Sequence, residues 1–121
     1  MIPVLQALTE EGFIIITCSN CSKWDAENSD AQIKKYISNY FYSFQMGTVK
    51  PEIPFFNTVC QELNVRGSSI LHIGDSLKAD YFGAINAGWN AILLDRKDER
   101  TEKYKEIPHI SSLKQLIENK L

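Results

Sequence analysis

The feature that most constrains this chain is its alternation of short, apolar, β-branched runs with segments of helical period. Phe13 to Thr17, Phe41 to Met46, Ile70 to Ile73 and Ala91 to Leu94 read as strands. The first run, Phe13 to Thr17, is uninterrupted, which suits a strand buried on both faces. Between them lie helix signals. Val4, Leu5 and Leu8 keep helical spacing until Gly12 stops them. A second helix is predicted from about Asp25, with Ala26, Ile33 and Ile37 among its residues, and a third opens with Pro51 and Glu52 in its first turn and runs to Leu63. Leu77 to Ala87 is predicted helical and closed by Gly88, and Ile110, Leu113, Leu116 and Ile117 form a final amphipathic helix. Strands alternating with helices call for βαβ crossovers. The predicted fold is therefore α/β, a Rossmann-like parallel sheet with flanking helices. A chain of 121 residues has room for one such domain.

In a sheet of this kind ligands gather at the carboxyl ends of the strands. Three loops qualify. After the first strand comes Thr17-Cys18-Ser19-Asn20, whose hydroxyl and amide can hydrogen-bond phosphate oxygens, although the same tetrapeptide is also an ordinary Ser/Asn turn. After the second comes Gly47-Thr48-Val49-Lys50-Pro51, where a lysine between a flexible glycine and a rigid proline can aim one ammonium at a phosphate or carboxylate, or simply sit on the surface. After the third, Gly74-Asp75 ends the strand and Asp80 follows about one helical turn later. Two carboxylates so placed make a hard-oxygen site suited to Mg²⁺, which takes one or two carboxylates and keeps several waters. Either aspartate alone also suits a helix cap.

Bulk properties narrow the partners. A formal net charge of −2, with Lys and Arg scattered, gives no reason to expect nucleic acid or an anionic membrane. No apolar run approaches the roughly 20 residues that span a bilayer. The opening Met1-Ile2-Pro3-Val4-Leu5 lacks the charged and apolar regions of a secretion signal. Three cysteines, an odd number, fit a reducing compartment, and the expected location is cytoplasmic.

In combination the three loops carry more than each does alone. A Ser-Asn loop, a Lys-Pro loop and a Gly-Asp-x-x-x-x-Asp loop occur in that order, each after a strand. The chain here resembles the haloacid dehalogenase (HAD)-like hydrolase superfamily, from near Met1 to the C-terminus. Ser19 matches the family's second motif, Lys50 its third, and Asp75 with Asp80 its fourth. Leu71-His72-Ile73-Gly74-Asp75 and Asp80-Tyr81-Phe82-Gly83-Ala84 resemble in wording the domain-containing-protein-three group of that superfamily. The resemblance implies hydrolysis of a small phosphate ester through an aspartyl phosphate. Ser19, Asn20 and Lys50 would bind the phosphoryl group, with Lys50 also catalytic in neutralising charge. Asp75 would hold Mg²⁺, and Asp80 would be a second ligand or orient the first.

One family motif is missing. The first, Asp-x-Asp, supplies the nucleophile and the general acid/base, and no Asp-x-Asp occurs in this sequence. Asp95-Arg96-Lys97-Asp98 follows a strand with the wrong spacing and chain order. Loss of a covalent nucleophile costs on the order of 10⁶ in rate. The chain is therefore expected to be the inactive, later part of a HAD-like core. The absent strand would lie mid-sheet, between those ending at Thr17 and Ile73, and would contribute on the order of 10 kcal/mol. That is comparable to a domain's whole stability of about 5–15 kcal/mol. The expectation is a marginal fold, or strands that close the gap by pairing differently. The family's cap, which shapes substrate choice, belongs upstream as well. Oligomeric state stays open.

Other readings explain less. Cys18-Ser19-Asn20-Cys21 invites a thioredoxin-like reading, but the α/β pattern continues for three more strands. Cys18, Cys21, Cys60 and His72 have zinc-ligand chemistry, yet Cys60 falls on a helix and His72 inside a strand, where packing accounts for both. His72 and His109 are too isolated to act as catalytic acids. A receiver-like domain lacks its acidic pair on an early strand. The serious rival is non-catalytic: a truncated product that binds phosphate, metal or a partner protein, or the incomplete product of a gene whose full protein is the enzyme.

Overall fold

The structure, a computed structural model, describes residues 2–20, 31–96 and 106–118. They fall into two compact units, one of residues 1–47 and 113–121, the other of residues 48–112. Among the described residues no helix is long and apolar enough to cross a membrane.

The first unit opens with α1 (Ile2–Glu10), whose Val4 and Leu5 are buried. Gly12 ends the turn that follows at φ +94°, a left-handed conformation that suits glycine. β1 (Ile16–Ser19) pairs in parallel with β2 (Asn39–Tyr42), from Ile16 opposite Asn39 to Ser19 opposite Tyr42. The sequence placed the first strand at Phe13 to Thr17, buried on both faces. Instead it starts at Ile16 and none of its residues is fully buried, while Phe13 and Ile14 are exposed. The ladder accounts for the shift: its register begins at Ile16 opposite Asn39, with the Ser38 N–H donating to Ile15 O at 2.8 Å just before it. The same limit corrects the second strand. Pairing ends at Tyr42, and Ser43–Met46 turn into a short helix, α2, rather than extending the strand. Gly47 closes α2 at φ +71°. The helix expected from Asp25 lies in part outside the described residues, and Ala31–Tyr36 form a 3₁₀ segment.

The first helix of the second unit is α3 (Ile53–Leu63), with Glu52 at its N-cap position but no capping bond from that side chain, and with Pro54 in its first turn. Pro51 therefore precedes the helix and does not start it. Phe55, Phe56 and Val59 are fully buried. A three-stranded parallel sheet follows, with β3 (Leu71–Gly74) beside β4 (Asn90–Leu94) and β4 beside β5 (His109–Ile110). β5 was not expected. It is two residues long, which leaves no period to read, and its ladder is anchored by Leu93 N–H to Pro108 O and Asp95 N–H to Ile110 O. Between β3 and β4 the expected single helix is two pieces, a π-helical turn over Leu77–Phe82 and α4 (Gly83–Asn86). The chain closes, in the first unit, with α5 (Gln115–Glu118), which buries Leu116.

The fold is mixed α/β with parallel strands and flanking helices, as the sequence implied. Among the described residues β1 pairs only with β2, and β3 only with β4, so the outer edges of β1 and β3 have no ladder partner.

Candidate functional site

In the second unit Asp80 is the centre of a polar cluster. It is 6% exposed and sits in the π-helical turn after β3. Lys50 Nζ donates to Asp80 Oδ1 at 2.6 Å, and His72 Nε2 lies 3.0 Å from the same oxygen. The backbone N–H of Ser76 donates to Asp80 Oδ2 at 3.1 Å. Burial pushes the Asp80 carboxyl up, but the hydrogen bonds from His72 and Lys50, the Lys50 charge and the Ser76 N–H outweigh it, and its pKa is held well below the usual carboxylate range.

Local sequence builds each part of this cluster. Ser76 caps the turn through its hydroxyl, which accepts from Ala79 N at 3.0 Å, and its carbonyl receives both Asp80 N–H and Tyr81 N–H. The second of these bonds skips five residues and opens the turn to π geometry. The widened turn lets the Asp80 side chain fold back over Gly74. A Cβ on Gly74 would collide with the Asp80 carboxylate, so the glycine of Gly-Asp is required by a close approach. Lys50 sits in a loop fastened at both sides: Glu52 accepts from Thr48 Oγ1 and from Val49 N–H, each at 2.9 Å. Those bonds, the backbone one first, lower the Glu52 pKa. The Lys50–Pro51 peptide is cis. Gly83 leaves room for Pro51, whose Cβ would lie 2.9 Å from a Cβ on Gly83.

The sequence-derived residues are thus brought together only in part. Lys50 and Asp80 meet directly. Asp75 follows the last residue of β3 and is exposed, next to the same turn. Ser19 ends β1 and Asn20 follows it, at the carboxyl end of the two-stranded sheet in the first unit. Cys21 lies outside the described residues, so the Cys-x-x-Cys is only half placed. Among the described residues no three His, Cys, Asp or Glu side chains form a metal cage. Magnesium does not need one, since one or two carboxylates and several waters suffice. An exposed Asp75 at a strand end fits a ligand of that kind. Asp80 fits less well, because both of its oxygens already accept hydrogen bonds.

His72 is the residue that sequence reasoning set aside and the structure brings into the cluster. The signal was present in the pleat. Residues 72 and 74 share one face of β3, so a carboxylate folding over Gly74 lands beside His72.

Comparison with known proteins identifies the family. The family model described as HAD-hydrolase-like matches residues 48–116. The 5-amino-6-(5-phospho-D-ribitylamino)uracil phosphatase YigB of Escherichia coli is 31% identical over a match covering 74% of this chain and 43% of its own. The uncharacterized protein YMR130W of Saccharomyces cerevisiae is 30% identical, with 53% of this chain and 26% of its own covered. This chain therefore spans less than half the length of either curated relative. Among solved structures, a HAD phosphatase from Thermococcus onnurineus superposes with a TM-score of 0.83 at 22% identity, over 98% of this chain and 55% of that one. The HAD-hydrolase YfnB of Bacillus subtilis, solved bound to magnesium, gives 0.84 at 23% identity, over 98% and 53%. A 2-haloacid dehalogenase from Pseudomonas syringae gives 0.80 at 25% identity, over 96% and 49%. With more than half of its residues matched by the family model, this chain belongs to the HAD-like hydrolases.

Proposed function

We propose that this chain carries the phosphate- and metal-binding part of a magnesium-dependent phosphate-ester hydrolase and lacks the nucleophile that completes it. The observation that carries this reading is the buried Lys50–Asp80 pair, which joins the loop before α3 to the π-helical turn that follows Asp75 and its neighbour Ser76. Phosphoryl transfer is mostly positioning and charge stabilisation. Lys50, aimed by Asp80, neutralises charge on the phosphoryl oxygens. Ser19 and Asn20, at the carboxyl end of β1 in the first unit, offer a hydroxyl and an amide suited to phosphate oxygens. Asp75 is the ligand for Mg²⁺, and Asp80 orients rather than coordinates. Bound Mg²⁺ supplies charge neutralisation on the phosphate. The substrate class is a small phosphorylated molecule, as the name of the E. coli relative illustrates for that protein.

With no Asp-x-Asp in the sequence, the covalent step has no attacking carboxylate in this chain, and an upstream strand carrying it would pair along the open edge of β3. The same lack favours a second reading, in which the chain binds phosphate, metal or a partner protein without turnover.

Calorimetric titration of the chain with inorganic phosphate in the presence of Mg²⁺ tests the binding half. Saturable phosphate binding that is lost in both Lys50→Gln and Asp75→Asn is expected. Binding that survives both substitutions rules these residues out as the site.

A further inference from the structure

His72 is the one buried titratable side chain of the cluster to which the reading above gives no task. It is 9% exposed, in the middle of β3. Its ring packs edge-on against Phe56 (centroids 6.0 Å, planes at 86°) and Trp89 (5.9 Å, 76°), which themselves meet at 5.0 Å and 86°. Three rings in mutual edge contact fix the imidazole plane and leave it no alternative rotamer without a hole in the core. Its free direction is along the ring toward Asp80, where Nε2 lies 3.0 Å from Oδ1. That oxygen also accepts from Lys50. An ionised carboxylate only accepts hydrogen bonds, so His72 must present Nε2–H to it.

We infer that His72 is a positioning residue: clamped by Phe56 and Trp89, it donates Nε2–H to Asp80 and, through that carboxylate, aims the Lys50 ammonium. The role rests on the proposed use of Lys50 as the phosphate-binding cation, but the hydrogen-bond chain itself does not depend on that use. Packing alone explains a ring at position 72; it does not explain a ring with a donor at its far edge, opposite a buried anion. Asp80 accepts on Oδ1 from two side chains on different elements, and only His72 belongs to the rigid strand. Remove the His72 donor and, among the described residues, the Ser76 N–H on Oδ2 is the one backbone anchor left, so the carboxylate can turn about that bond, its terminal torsion being soft, and carry Lys50 with it.

The test is heteronuclear NMR of the ¹⁵N-labelled 121-residue chain, wild type and two variants. Two signals are read: the protonation of His72 Nε2, from long-range ring correlations, and the slowly exchanging Lys50 ammonium, assigned by its absence in Lys50→Arg. In His72→Phe the ring packing is kept and the donor is gone. In His72→Gln the side-chain amide restores a donor near the Nε2 position and the ring is gone. Wild type is expected to show a protonated Nε2 and an ordered Lys50 ammonium, with that ammonium signal lost in His72→Phe and retained in His72→Gln. A His72 protonated only on Nδ1, or an ammonium signal that survives in His72→Phe, overturns the inference. Should His72→Phe fail to fold, wild type and His72→Gln still decide it, since a bare Nε2 in the first or a lost ammonium in the second is enough to overturn it. A later phosphate titration reads separately whether Lys50 binds phosphate at all, so failure of the proposed function and failure of this inference give different results.

Discussion

At the scale of single residues, the protein concentrates its unusual chemistry on one carboxylate. Asp80 is buried, which alone would favour its neutral form, yet three donors hold it ionised. Its folded pKa therefore lies below the ordinary value of about 3.9. A depressed carboxyl contributes stability that is fully present above its unfolded pKa and is lost as the pH falls through the folded one. Urea unfolding of wild type and Asp80→Asn across pH, in chelator, checks this. The wild-type advantage should be constant from neutral pH to about pH 5 and then shrink by up to about 1.4 kcal/mol per pH unit below pH 4. An advantage unchanged between pH 5 and pH 2 contradicts the assignment. Gly74 gives a second residue-scale expectation. Because a Cβ there meets the Asp80 carboxylate, Gly74→Ala should cost about 1–3 kcal/mol of overpacking in denaturant unfolding and displace the Lys50 ammonium. A neutral Gly74→Ala would mean that Asp80 does not lie over this glycine. Lys50 and Asp80 were legible in the sequence because strand ends and a Gly-Asp junction mark them. His72 was not, because its partner is chosen by the pleat of β3 and the fold-back of a π-helical turn, neither of which leaves a local pattern.

Among elements, the strands were readable where the ladder runs the length of the apolar run and less so where pairing runs out. Ile70 to Ile73 and Ala91 to Leu94 were placed within a residue or so of β3 and β4, which pair with each other over four positions. The first two strands shifted because their ladder extends only from Ile16–Asn39 to Ser19–Tyr42. Composition at Phe13 and Ile14 favours a strand, yet both are exposed and precede the first cross-strand bond, from Ser38 N–H to Ile15 O. The helix after β3 was recognised by its period and its closing Gly88, but not its π start, which Ser76 and Asp80 create through side-chain and backbone bonds of the turn. Unpaired strand edges are liabilities, and among the described residues β1 and β3 each have one.

For the molecule as a whole, those open edges are expected to limit the stability. A sheet strand of about five residues contributes on the order of 10 kcal/mol, and two short sheets with open edges forgo it. The 121-residue chain should therefore melt low, with a calorimetric transition below about 50 °C at dilute concentration. A single cooperative transition well above that, in a chain shown to be monomeric, contradicts this view of the fold.

The most direct measurement for the account is hydrolysis of a generic phosphate ester by the purified 121-residue chain, with and without Mg²⁺. No turnover is expected from this chain. Turnover should appear when it is extended upstream by a strand ending in Asp-x-Asp, and it should then need Mg²⁺ and vanish in Asp75→Asn. Magnesium-dependent turnover by the 121-residue chain alone, abolished by Asp75→Asn, would show that another residue is the nucleophile and that the site is already complete.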